Sequence, residues 1–166
     1  MPCQSALLSI IQRQTEGVMY HDQMTDYYAF LHLDELKELH HERTKEELCS
    51  LRKVKCDYIK VFKSIPFYVT NNPQKIPIDW KTKTTASIDE SSLKILLQKS
   101  LEDGLAWEQE TCRIYKEAAK VFKENMNFYL YKEACKMIEE TQNEIYGLSE
   151  MLVEAASYNY NPSYFK

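Results

Sequence analysis

Residues 101–122 read LEDGLAWEQETCRIYKEAAKVF. Leu101, Leu105, Cys112, Tyr115, Ala119 and Phe122 recur at helical spacing and form one apolar stripe on a long helix. Glu108 falls on that stripe, between Leu105 and Cys112. A carboxylate held against a core must be paired, hydrogen-bonded or protonated, because desolvating it alone is costly. The reading of function therefore turns on what Glu108 meets.

Working outward, two helices precede this stretch and one follows. The first runs over about residues 5–30, with Leu7, Ile11, Gln14, Val18, His21 and Tyr28 on its stripe. A tight connection at residues 32–34 makes the first two helices antiparallel neighbours, with Asp34 expected as the cap of the second. The second helix, to about residue 62, carries Leu36, Leu39 or His40, Arg43, Glu47, Leu51, Val54, Tyr58 and Val61, so Arg43 and Glu47 share its inward side. Over residues 63–88 the pattern stops at Pro66, Pro73 and Pro77. A link that long is unusual inside a domain. It can run the length of a bundle, leaving helices two and three parallel, with Phe67, Tyr68, Ile76, Ile78 and Trp80 pinning it to the side. Ser87 and Glu90 have the spacing of a capping box for the third helix. The chain reverses again at residues 125–127, and the fourth helix shows Ala134, Met137 or Ile138, Thr141, Ile145, Leu148, Leu152 and Ala155.

The expected fold is all-α: a four-helix bundle of two antiparallel hairpins (5–62 and 89–158) joined by a crossover (63–88), with an aromatic tail (159–166). With 166 residues and 44% hydrophobic content this is one domain with a real core. The net charge of −4, with no basic stripe, argues against nucleic acid. No segment approaches the length of a membrane span, and the apolar run at 6–11 is too short for a signal peptide. Five dispersed cysteines without a C-x-x-C pair read as reduced thiols packed as small hydrophobes, and so as a cytoplasmic chain. Three scattered glycines exclude a glycine-rich phosphate loop, and no nucleophile triad can be argued. Gly17, Gly104 and Gly147 fall inside helices, where close helix approach or a dimer contact would offset their cost.

The two halves match at an offset of 94 residues: Leu7 falls on Leu101, Gln14 on Glu108, His21 on Tyr115, Glu47 on Thr141 and Ser50 on Glu144. The pattern Glu108-x-Glu110…Tyr115-x-Glu117-Ala118-Ala119 resembles the third helix of ferritin-like and rubrerythrin-like proteins. Glu35-Leu36-Lys37-Glu38-Leu39, followed by Glu42 and Glu46-Glu47, resembles the second. The resemblance implies a bundle whose centre binds two iron or manganese ions through one Glu from each of two helices and a Glu-x-x-His from each of the others. This chain departs from that set. The first-helix position is Gln14, the second helix has Glu47-x-x-Ser50, and the fourth has Thr141-x-x-Glu144. Only Glu47 and Glu108 survive in kind, with Glu144 in a histidine's place: a degenerate di-iron site.

Three readings of these carboxylates stay open. The preferred one is a buried ion-pair network in which Arg43 satisfies Glu47 and Glu108, since a guanidinium can fork to two carboxylates and take over a metal's charge role. The second is a remodelled iron or manganese site of Glu47, Glu108 and Glu144 with His21 or Gln14. In the third, a slipped register turns these side chains to solvent. His21 is expected as a core histidine near Tyr115, and His40 and His41 as a solvated pair. The chain is thus expected to be a ferritin-like bundle with a structural or interaction role, without a cofactor, self-associating as a homodimer or larger homo-oligomer. An iron- or manganese-dependent oxidase or iron-handling protein is the alternative.

Overall fold

The computed structural model describes residues 1–71 and 88–166. Among them the chain is all-helical, with α1 (Pro2–Phe30), α2 (Asp34–Phe62), α3 (Glu90–Glu124), α4 (Phe128–Ser157) and a terminal 3-10 turn, Pro162–Phe165. The helix starts differ in detail from expectation. Asp34 is the first residue of α2 rather than its cap, and Leu33 holds the cap position without a side-chain bond. An acidic residue in the first turn still complements the helix dipole. α3 is capped by Asp89, whose carboxylate accepts from the Ser92 N–H; Ser87 lies outside the described residues. Asn127 caps α4 by accepting from the Leu130 N–H.

The offset of 94 reappears in the two hairpin turns, bond for bond. In the first, the N–H groups of Leu31, His32 and Leu33 donate to the carbonyls of Tyr27, Ala29 and Tyr28. In the second, those of Asn125, Met126 and Asn127 donate to Val121, Lys123 and Phe122. The middle residue of each turn takes a left-handed backbone, His32 at φ 56° and Met126 at φ 55°. Both turns use the six-to-one bond that closes a helix through one left-handed residue.

Side-chain bonds fix how the hairpins lie. Arg13 donates to Thr111 (2.8 Å) and Tyr28 to Ser100 (2.8 Å), so α1 and α3 are antiparallel neighbours. Arg43 meets Glu144, Lys53 meets Glu133, and Tyr129 donates to Asp57 (2.8 Å), so α2 and α4 are also antiparallel. It follows that α2 and α3 run in the same direction. The opening of the link fits that arrangement. Ser64 sits beside Gln4 (3.5 Å), Tyr68 accepts from Thr15 (3.3 Å), and the Asn71 N–H donates to Glu16 (3.0 Å). Residues 64–71 thus run along α1 away from its N-terminus, and Ile88 and Leu93 pack on the second apolar cluster at the start of α3. Of the residues expected to pin the link, Tyr68 packs on the core, whereas Phe67 points into solvent. Ile76, Ile78 and Trp80 lie outside the described residues.

Two apolar clusters fill the bundle, one toward each end. Leu7, Ile11, Tyr58, Phe122 and Ala134 belong to the first; Tyr28, Leu36, Leu97 and Leu101 belong to the second. Between them lies a polar layer. α3 buries two stripes rather than the single expected one: Trp107 is buried and Leu105 only half-buried. It must cover both α1 and α4, so its inward face is wider. The tail folds onto α2 and α3 of its own bundle, with Phe165 buried and the rings of Tyr158 and Tyr164 stacked at 4.0 Å.

A left-handed conformation costs an L-residue about 1–2 kcal/mol, and glycine escapes that cost. His32→Gly and Met126→Gly should each raise the free energy of unfolding by about 0.5–1 kcal/mol. Urea denaturation midpoints would read this; a loss at either position would contradict the turn geometry.

Candidate functional site

The polar layer is built from one turn of each helix. His40 on α2 and His21 on α1 face each other, Nδ1 to Nδ1, at 2.9 Å. His21 Nε2 lies 3.4 Å from Glu108 Oε1 on α3. Glu108 shares a hydrogen bond with Glu144 on α4. Glu144 accepts from Arg43, one helical turn beyond His40 on α2. The contacts therefore close a ring through all four helices: His40, His21, Glu108, Glu144, Arg43.

This placement differs from the sequence expectation in three ways. Arg43 pairs with Glu144 and Glu46, not with Glu47 and Glu108, because the register of α2 against α4 sets residue 43 opposite 144. His21 meets His40 and Glu108 rather than Tyr115. His40 is buried while His41 is exposed, so the two do not form a solvated pair. Adjacent residues on a helix point about 100° apart, and only one of them can face the centre. The thiols also divide: Cys112 is buried, but Cys49 and Cys56 are exposed, so not all five pack as hydrophobes.

The pseudo-repeat extends into the site. Gln14 donates to Ser50 (2.7 Å) within the first hairpin, where the second has Glu108 bonded to Glu144. Tyr115 reaches the Gln14 amide, where the other half has His21 on Glu108. Each equivalent pair is separated by the same 94 residues. Arg13 and Trp107, themselves equivalent, meet face to face between the hairpins, the guanidinium 3.5 Å from the ring centroid. Arg13 also donates to the Trp107 carbonyl (2.8 Å). Arg13 and Trp107 were not among the sequence candidates. Their signal was available, since Ile10, Arg13, Gln14 and Gly17 form a second helical stripe on α1.

Glu47 stands slightly apart from the ring. A side chain added at Gly17 would lie 3.3 Å from Glu47 Oε2, so this helix-interior glycine makes room for the carboxyl. Glu47 Oε2 and Gln14 Oε1 are both buried without a hydrogen-bond partner among the described residues. Burial first, then the neighbouring Glu108 and Glu144, push Glu47 up to about 8; Arg43 and Arg13 oppose this. Burial and Glu108 likewise raise Glu144 to about 8, outweighing Arg43, and burial raises Glu108. Burial lowers His21 to about 3 and His40 well below the usual imidazole range, so both rings are neutral. Burial thus favours the neutral form of the carboxyls and of both imidazoles. Among the described residues, no three His, Cys, Asp or Glu side chains converge as metal ligands.

Comparison with known proteins returns no match among family models, curated proteins or solved structures. Among the described residues no helix is long and apolar enough to cross a membrane.

The raised carboxyls and lowered imidazoles act on stability in opposite directions. A carboxyl whose folded value of about 8 exceeds its ordinary 4.5 contributes stability below 4.5 that is lost as pH rises through 8. The neutral imidazoles contribute stability above about 6.5, lost as pH falls. Between pH 6.5 and 8.5 only the carboxyl effect operates, so the unfolding free energy should fall across that window. Glu47→Gln should flatten the fall by about 1–2 kcal/mol, as read by urea melts at each pH. An unchanged slope would contradict a protonated Glu47.

Proposed function

We propose that this chain is a ferritin-like helical bundle protein whose centre is tied by protein groups in place of a di-metal site, and that it serves a structural or protein-interaction role through self-association. The observation that carries this reading is Arg43 on Glu144. Arg43 stands where the ferritin-like pattern has an apolar residue, and its guanidinium brings to Glu144 the positive charge that a metal ion would bring. The parallel α2 and α3, the opening of the link along α1 and the matched hairpins support the ferritin-like arrangement.

Iron or manganese, which the resemblance implies, does not fit these residues well. Glu144 is engaged by Arg43, the facing δ-nitrogens of His21 and His40 contact each other, and Glu108 is hydrogen-bonded to Glu144. Among the described residues, Glu47 keeps a buried carboxyl oxygen without a hydrogen-bond partner. That oxygen, at the level of Glu108 and Glu144, is what favours the second reading, an atypical iron- or manganese-binding oxidase.

Self-association is supported by apolar surface on α4. Tyr146 and Val153, seven residues apart on one face, are 66% and 73% exposed, and Gly147 between them has nothing within 4 Å of an added side chain. The aromatic tail is a weaker motive, since it docks on its own bundle.

Two measurements test the proposal. Arg43→Met should lower stability by about 1–3 kcal/mol, less than a fully buried pair because Arg43 is part-exposed, and adding Glu144→Gln should recover much of the loss. Elemental analysis of protein produced with added iron or manganese should find no stoichiometric metal. Metal that is present and lost on Glu108→Gln would instead establish the second reading. For assembly, light scattering should give at least a dimer, and Val153→Lys should shift it toward the 19.7 kDa monomer.

A further inference from the structure

The seam between α2 and α4 is the loosest in the bundle, bridged by side chains rather than by close backbone approach. A cavity of about 700 Å³ lies along it and reaches inward to Gln14, Glu47, Tyr115 and Glu144. Among the described residues its walls carry more carboxyl groups than cations, and every cation there is already engaged. Arg43 is held by Glu144, and both Lys53 and Lys136 by Glu133. What remains at the inner end, among the described residues, is two buried oxygens without hydrogen-bond partners, Gln14 Oε1 and Oε2 of the Glu47 carboxyl, which becomes a pure acceptor once a cation ionises it. Gln14 is only 1% exposed, and the orientation of its amide is fixed by chemistry. The thioether of Met137, 3.4 Å from Nε2, can only accept, so the nitrogen faces Met137 and Ser50 and the oxygen is left unpaired.

Buried acceptors are rarely left unmatched. Here the missing partner must donate hydrogen bonds, tolerate a carboxylate, and suit walls that also include Val54 and Met137. An anion fails on charge. A quaternary ammonium fails because it has no N–H. A primary ammonium has three donors on a compact cation, and an alkyl chain beyond it matches the apolar wall. We propose that the α2–α4 cavity is a binding site for a primary alkylamine in its ammonium form, with the head on Gln14 Oε1 and Glu47 Oε2 and the chain along Val54 and Met137. This goes beyond the ferritin-like reading and does not rest on it, since it depends only on the cavity and its unpaired acceptors.

Binding should expel a proton. The groups facing Glu47 are Arg13 from α1, Arg43 on its own helix, Glu108 and Tyr115 from α3, and Glu144 from α4. Among these Glu47 is protonated near neutral pH, and a cation would ionise it.

The test is calorimetric titration of the full chain with n-butylammonium chloride at pH 7, in two buffers of different ionisation enthalpy. The expected result is saturable one-site binding with a dissociation constant of about 1 mM or tighter, proton release, and no comparable binding of tetramethylammonium. Glu47→Gln should weaken binding at least tenfold and abolish the proton release. Gln14→Met, which keeps the α2 carboxyl, should also weaken it at least tenfold and serves should Glu47→Gln fail to fold. Absence of saturable binding by the native chain would overturn the proposal. So would equal binding of tetramethylammonium, or unchanged affinity in whichever of the two variants folds.

Discussion

The middle of this bundle is governed by a shortage of positive charge. Glu47, Glu108 and Glu144 enter one layer from α2, α3 and α4, and among the described residues Arg43 is the only cation bonded to any of them. Three ionised carboxylates so close together in a buried setting would repel one another strongly. Burial eases this by shifting all three toward their neutral forms, and Glu108 meets a neutral imidazole, His21. The resulting ring from His40 through His21, Glu108 and Glu144 to Arg43 takes one contact from each neighbouring pair of helices. Each member satisfies the next, which is the condition under which a buried polar layer is tolerated.

A nearly twofold scaffold surrounds an unequal centre. The hairpin turns match to the individual hydrogen bond, and Arg13 stacks on its own counterpart Trp107 where the halves meet. The chemistry at matched positions has nevertheless diverged. Gln14 and Ser50 in one half are neutral, while Glu108 and Glu144 in the other are acidic. Backbone packing depends on size and shape, so it retains the symmetry. Protonation depends on the net charge of the whole layer, which has no reason to divide evenly between halves.

The four seams of the bundle are unequal as well. α1 packs closely on α2, α3 on α4, and α1 on α3, whereas α2 and α4 are spanned by side chains such as Lys53–Glu133 and Tyr129–Asp57. Among the described residues, the seam that carries Glu47 thus offers water and small molecules a route toward the centre. The tail closes part of the opposite end, where Phe165 joins the cluster containing Tyr28 and Leu97.

The sequence by itself determined the helices, their reversals and the internal repeat. Apolar spacing reports which face of a helix avoids water, and short polar breaks report where the chain must turn. It also brought Gln14, Glu47, Glu108 and Glu144 to the interior, because polar residues on an apolar stripe have nowhere else to go. Only the tertiary structure decided who meets whom. Periodicity assigns a residue to a face but not to a neighbour. The axial register of α2 against α4 gave Arg43 to Glu144, and that of α1 against α3 gave His21 to Glu108. Whether His40 or His41 faced inward depended on a rotation of one residue, about 100°, which a stripe reading Leu39 or His40 could not resolve. Arg13 and Trp107 were missed for the same reason: a helix packed against two partners buries two stripes, and how wide its inward face is depends on where those partners stand.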